Sequence, residues 1–165
     1  MSIDDDLTRL ALQEERLQFE SFNAATALDL GLRIKAIIEK LGKTAAIDIG
    51  LHGHTLFFYA MPGTAPDKGD WTRRKRNVVM RFHRSSYAFS LGMEKNGYGL
   101  TERYGMSVAD YALAGGGFPI ILRGTGCVGS IAVSGLPQRD DHGVIVQALA
   151  DLLGQDVAEL ALPAE

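Results

Sequence analysis

Thr44-Ala45-Ala46-Ile47-Asp48-Ile49-Gly50-Leu51, then His52-Gly53-His54, then Thr55-Leu56-Phe57-Phe58-Tyr59-Ala60-Met61: two runs rich in β-forming residues flank a short turn, which reads as a hairpin. A second pair follows, Phe118 to Arg123 and Cys127 to Ser134, joined by the tight turn Gly124-Thr125-Gly126. Hairpins in sequence leave no room for the long crossovers that parallel strands need, so at least four antiparallel strands are expected.

Outward from these hairpins the apolar spacing turns helical. Leu7 to Phe19 suggests a short peripheral helix with Asp4 to Asp6 at its N-terminal dipole. Asn23 caps a longer one whose stripe is Ala27, Leu30, Ile34, Ile37, Ile38 and Leu41, closed by Gly42. Asp70 is read as the cap of a long helix to about Asn96, carried by Trp71, Val78, Val79, Phe82, Phe89 and Met93 and stopped by Gly97. Tyr98 to Gly117 reads as loop with one helical turn around Val108 to Leu113. Gly143 to Leu153 reads as a last helix opened by Asp140 and Asp141. Helices before, between and after the hairpins predict an antiparallel sheet covered by helices, an α+β fold.

With 165 residues, 46% of them hydrophobic, the chain is expected to be a single domain over residues 1–165, its N-terminal helix peripheral. A net charge of -3 offers no field for gathering nucleic acid or anionic lipid. The start Met1-Ser2-Ile3-Asp4-Asp5-Asp6 is acidic and unlike an export signal, no run is long enough to span a membrane, and Cys127 has no second cysteine to pair with. A cytoplasmic protein is the expectation, with neither nucleic acid nor membrane as partner.

The helix after Asp70 carries the chemistry. Arg73, Arg74, Lys75, Arg76, Arg81, His83 and Arg84 fall in a stretch without an acid. At roughly 100° per residue the arginines share the side opposite Trp71, Val78 and Phe82. Cations in a first turn oppose the helix dipole, so an acidic partner is expected: carboxylates of this chain, of a neighbouring subunit, or an anionic ligand. Lys75 instead falls among Trp71, Val78 and Phe82, facing the sheet. Either its stem lies along the core and its ammonium reaches water, or it lines a pocket. Met80, Tyr87 and Leu91 form a second apolar seam on the basic side, which predicts contact with another subunit of a homo-oligomer.

Other features read more plainly. Gly115-Gly116-Gly117 lacks the Lys and the helix of a phosphate loop, and Ser134-Gly135-Leu136 is no nucleophile elbow. Asp140-Asp141-His142 sits where carboxylates cap, and His52 and His54 have no third ligand nearby, so no metal site is expected.

Leu56-Phe57-Phe58-Tyr59-Ala60-Met61-Pro62-Gly63-Thr64-Ala65-Pro66-Asp67, Trp71, Arg73 to Val79 and Phe82-His83-Arg84-Ser85-Ser86 resemble uncharacterised protein family 0303. So do Gly115-Gly116-Gly117-Phe118-Pro119-Ile120, Gly129 to Leu136 and Asp141-His142, so that the resemblance spans most of the chain. Through the glycine-proline and Val-Ser-Gly elements the family is similar to the GlcG-like and haem-degrading domains. That resemblance implies a three-layer α/β/α, profilin-like arrangement, a five-stranded antiparallel sheet with helices on both faces, together with ring-like homo-oligomers and, in some relatives, haem. It also aligns Lys75 with a lysine of the wider group.

These readings converge on a domain that binds a small anionic ligand, haem or another tetrapyrrole among the candidates, in a cleft formed by Lys75, Gly116, Gly117, Ser134, Asp141 and His142. In that picture Lys75 pairs with a ligand anion, amides near Gly116 and Gly117 approach it, and His142 supplies a donor or an iron ligand. The rival from another class is an oligomeric adaptor for protein partners, without chemistry; an enzyme stands third.

Overall fold

In the computed structural model, which describes residues 2–164, four strands form one antiparallel sheet in the order β2-β1-β4-β3. They are β1 (Ala46–Leu51), β2 (His54–Ala60), β3 (Gly117–Leu122) and β4 (Gly126–Ser134). Both hairpins form as the turn residues dictate. His52 and Gly53, with φ of 48° and 79°, supply the two left-handed positions that a two-residue turn requires. The expected fifth strand is replaced by a single parallel bridge: Phe19 donates to Ile121 O (2.8 Å) and accepts from Arg123 N–H (2.9 Å) at the outer edge of β3. The chain crosses that edge on its way from one helix to the next and pairs at one residue only.

Helices lie on both sheet faces. Among the described residues there are seven: α1 (Ile3–Arg16), α2 (Ala24–Lys40), α3 (Lys68–Phe82), α4 (Ser86–Asn96), α5 (Leu100–Tyr104), α6 (Gln138–Leu153) and α7 (Val157–Leu160). Strand alternation assigns the faces. Ile47, Ile49, Phe118, Ile120, Ile131 and Val133 point to α2 and α6 and form the main core with Leu30, Ile34, Ile145 and Leu149. The alternate residues Ala46, Asp48, Gly117, Ser130, Ala132 and Ser134 lie under α3 and are small or polar.

The long helix expected from Asp70 to Asn96 is broken. His83 is left-handed (φ 57°, ψ 33°) and ends α3, its N–H bonding Val79 O; Ser85 then caps α4, its Oγ accepting the Ala88 N–H at 3.1 Å. The break lets α4 pack on α1, whose Glu14 carboxylate accepts the Ser85 N–H. Asp70 is not the cap either. The helix begins at Lys68, and Asp70 bonds Arg73 inside its first turn. Around Val108 the chain makes a turn, and the helical stretch of this loop is α5 instead.

The break dissolves the expected oligomer seam. Tyr87 and Leu91 are buried, 3% and 7% exposed, in a small cluster with Leu10 and Ala88, while Met80 is half-buried on α3. Cover that was expected from a neighbour comes from α1 of the same chain.

Candidate functional site

Lys75 is carried inward by the α3 face that holds Thr72, Val78 and Val79, and is 2% exposed. Its Nζ donates to Val133 O and to Asp141 Oδ2, each at 2.9 Å. Asp141, also 2% exposed, accepts the Leu136 N–H on Oδ1 (2.9 Å), holding the turn that leads into α6. Burial pushes the Lys75 ammonium down and the Asp141 carboxyl up from their ordinary values; each charge offsets the cost of the other. Lone burial of either ion would be far more costly than burial of the pair.

Gly116 is required beside this pair. It has φ +118°, its carbonyl accepts the Val133 N–H, and a Cβ there would stand 2.4 Å from Val133 O and 2.8 Å from Lys75 Nζ. Gly117 is equally tight, a Cβ meeting Val79 at 2.9 Å, but its N–H is committed to Ser86 Oγ (2.9 Å). Ser134, 4% exposed, borders the same space. Lys68, Trp71, Lys75, Ser134, Gln138 and Asp141 line a cavity of about 190 Å³ at this end of α3.

The structure thus gathers Lys75, Gly116, Ser134 and Asp141, with Gly117 against α3 one residue further on. His142 is not among them. Consecutive helix residues diverge by roughly 100°, so with Asp141 on the Lys75 side, His142 turns to α1. It is wholly buried, its ring 5.6 Å from that of Tyr87 and 5.8 Å from that of Phe118. Its Nε2 lies 2.7 Å from Gln13 Oε1, and the Gln13 amide N–H donates to Leu160 O, also at 2.7 Å. The glutamine oxygen is therefore the acceptor, which assigns the proton to Nε2 and leaves Nδ1 without a partner among the described residues. Burial, with the nearby Arg139 charge, pushes the imidazole down to about 3, so it stays neutral.

The basic face expected of α3 is neutralised largely from within. Arg73 bonds Asp70 (2.9 Å) and Asp110 (3.0 Å); Arg74 donates to Val108 O and lies over the Trp71 ring; Arg76 pairs with Asp48 at 2.9 Å. Sequence reasoning missed the last pair. Its signal was an acid at the centre of an otherwise apolar strand, and the carboxylate is 5% exposed with Oδ1 unpartnered. Burial pushes Asp48 up, and Arg76 opposes the shift. Cys127 is half-buried in β4, its thiol pushed up by burial. Among the described residues no three His, Cys, Asp or Glu side chains are grouped to hold a metal ion, and no helix is long and apolar enough to cross a membrane.

Comparison with known proteins adds the lineage. The family of haem degrading protein HbpS-like sequences matches over residues 22–150. A UPF0303 protein of Azotobacter vinelandii is 55% identical over 162 residues, 98% of this chain and 98% of the relative. The crystal structure of the Ybr137w protein superposes with a TM-score of 0.82 at 30% identity, covering 90% of this chain and 87% of that one. The crystal structure of a PduOC:heme complex superposes with a TM-score of 0.67 at 18% identity, covering 79% and 92%, a likeness of fold. The chain belongs to the HbpS-like family, as one of its UPF0303 proteins.

Proposed function

We propose that this chain is a cytosolic binding domain for a small anion, the size of phosphate or a short carboxylate, held at the Lys75–Asp141 pair. One observation carries the reading. An ammonium has three N–H donors; Lys75 gives two to Val133 O and Asp141 Oδ2, and it borders a cavity whose rim holds a second cation, Lys68. A ligand oxygen would take the third donor, and Lys68 would supply the charge that Asp141 has cancelled on Lys75. A buried ion pair adds little stability over an apolar pair of similar volume, which supports a binding role for these two residues.

Family membership supports ligand binding more broadly, since one fold neighbour is a haem complex. Haem itself does not fit the Lys75 site. Sites for ligands of that class measure roughly 300–1,000 Å³, and the Lys75 cavity has about 190 Å³. A larger cavity of about 500 Å³ borders Gln13, Arg139 and His142, but the imidazole has no exposed surface and its Nε2 is taken by Gln13. His142 takes no part in the anion site, being wholly buried on the α1 side of α6 with its Nε2 on Gln13.

Isothermal titration with inorganic phosphate and with acetate tests the reading. The wild-type chain should bind one of them saturably, and Lys68→Ala should weaken that binding about tenfold, the loss of roughly 1.4 kcal/mol, with an unchanged circular dichroism spectrum. Saturable binding that ignores Lys68→Ala, or none with either anion, refutes the site. An adaptor without a small ligand would give the second result.

A further inference from the structure

The two edges of the sheet end differently. At β3 the Phe19 segment takes up outward backbone groups. At β2 no described residue does so. Met61 N–H bonds Ala45 O at 3.1 Å, which sets the phase of the β1–β2 ladder. Residues 57, 59 and 61 turn their amides toward β1, so the N–H and C=O of Phe58 and Ala60 point away from the sheet. Seven residues of this strand, His54–Ala60, include no Lys, Arg, Asp, Glu or Pro. Those are the residues that keep an exposed edge single. One register shift, opposite Ile49 and Gly50, falls near Leu56 and leaves Phe57 to Ala60 regular.

We infer that β2 is an interface for a second copy of this chain, paired antiparallel about a two-fold axis at Tyr59. In that register Phe58 of each copy faces Ala60 of the other, and four backbone hydrogen bonds form from groups that are otherwise unpaired. The Phe58 side chain, 50% exposed, then covers the small Ala60 opposite it. A charge-free strand meets its own copy without repulsion.

The flanking helix complements the strand. An axis perpendicular to the sheet puts both copies of α2 on one face and antiparallel. Gly31 of α2 sits against the Phe57 ring, where a Cβ would come within 2.6 Å, so the next positions around the helix, Leu28 and Leu32, overhang this edge. They are 53% and 51% exposed. About a crossing at Leu32, Leu28 would face Ala36 of the second copy and the Asp29–Arg33 pair would lie beside its Lys35–Glu39 pair, apolar against apolar and one neutral charge pair against another. This surface is independent of the anion site and differs from the expected seam, of which α1 covers Tyr87 and Leu91 while Met80 stays half-buried on α3.

Sedimentation equilibrium of the full chain, with circular dichroism as the control for folding, tests the interface. The wild type should be a dimer or a multiple of dimers at micromolar concentration. Ala60→Pro, which removes an outward N–H and no bond within the chain, and Phe58→Lys should each weaken association at least tenfold. Leu32→Glu, on another element, should do the same. A wild-type monomer at tens of micromolar, an assembly of odd subunit number, or folded variants that all keep the wild-type mass overturns the inference.

Discussion

The two faces of one sheet are built on opposite principles. Toward α2 and α6 the strands offer Ile47, Ile49, Phe118, Ile120, Ile131 and Val133, a continuous apolar layer. Toward α3 the same strands offer Ala46, Asp48, Gly117, Ser130, Ala132 and Ser134, and two ion pairs complete that layer, Lys75–Asp141 and Arg76–Asp48. The apolar face gains stability from every residue removed from water. The polar face gains little net stability from its pairs, but holds groups whose bonding is specific and directional. A binding site belongs on the second kind of face, since an unspent donor there can recognise a ligand.

Breaking the pair should give the largest effect and distinguishes the faces most sharply. Lys75→Met leaves Asp141 buried and unpaired and should cost about 3–5 kcal/mol in urea unfolding, while the double variant Lys75→Met, Asp141→Leu should recover most of that loss. A double variant no more stable than the single one would show that the polar face contributes stability in its own right. On the apolar face Ile131→Ala should cost about 2–5 kcal/mol, and no second substitution at an ion-pair position should restore it.

The effect that is smallest near neutral pH, and grows only in acid, concerns the polar group on the apolar face. His142 touches Phe118, and its folded value of about 3 lies below the ordinary 6.5, so its stabilising contribution is present above pH 6.5 and is lost as pH falls from there toward 3. The slope approaches roughly 1.4 kcal/mol per pH unit. His142→Gln should flatten that acid limb in a stability-versus-pH series. An unchanged limb would assign the acid sensitivity to other groups.

Much of this was legible from residue order. Both hairpins, α2, α6 and the inward phase of Lys75 follow from local periodicity, because each segment carries its own apolar stripe and its own stop. The break at His83 does not. Apolar spacing continues from Val78 and Phe82 through Phe89 to Met93, a non-glycine left-handed residue is uncommon, and the contrary signal was only the capping Ser85. Missing it placed Tyr87 and Leu91 on a face they do not share with Met80. Asp141 was visible as a helix-start carboxylate, but its pairing with Lys75 spans 66 residues and depends on how α3 and α6 meet across the sheet. His142, expected in the same cleft as a donor or iron ligand, faces the other way because consecutive positions on a helix diverge.

The break at His83 has a practical corollary for anyone shortening the chain. The family match begins at residue 22, which makes Asn23 an inviting place to start a minimal version. Such a truncation would strip Leu10 from Tyr87, Ala88 and Leu91, remove the Gln13 that holds His142, and take the Glu14 that receives the Ser85 N–H. The stretch that the family model matches is therefore shorter than the cooperative folding unit, and the extra length at its front is the flap that keeps the middle of the polypeptide dry.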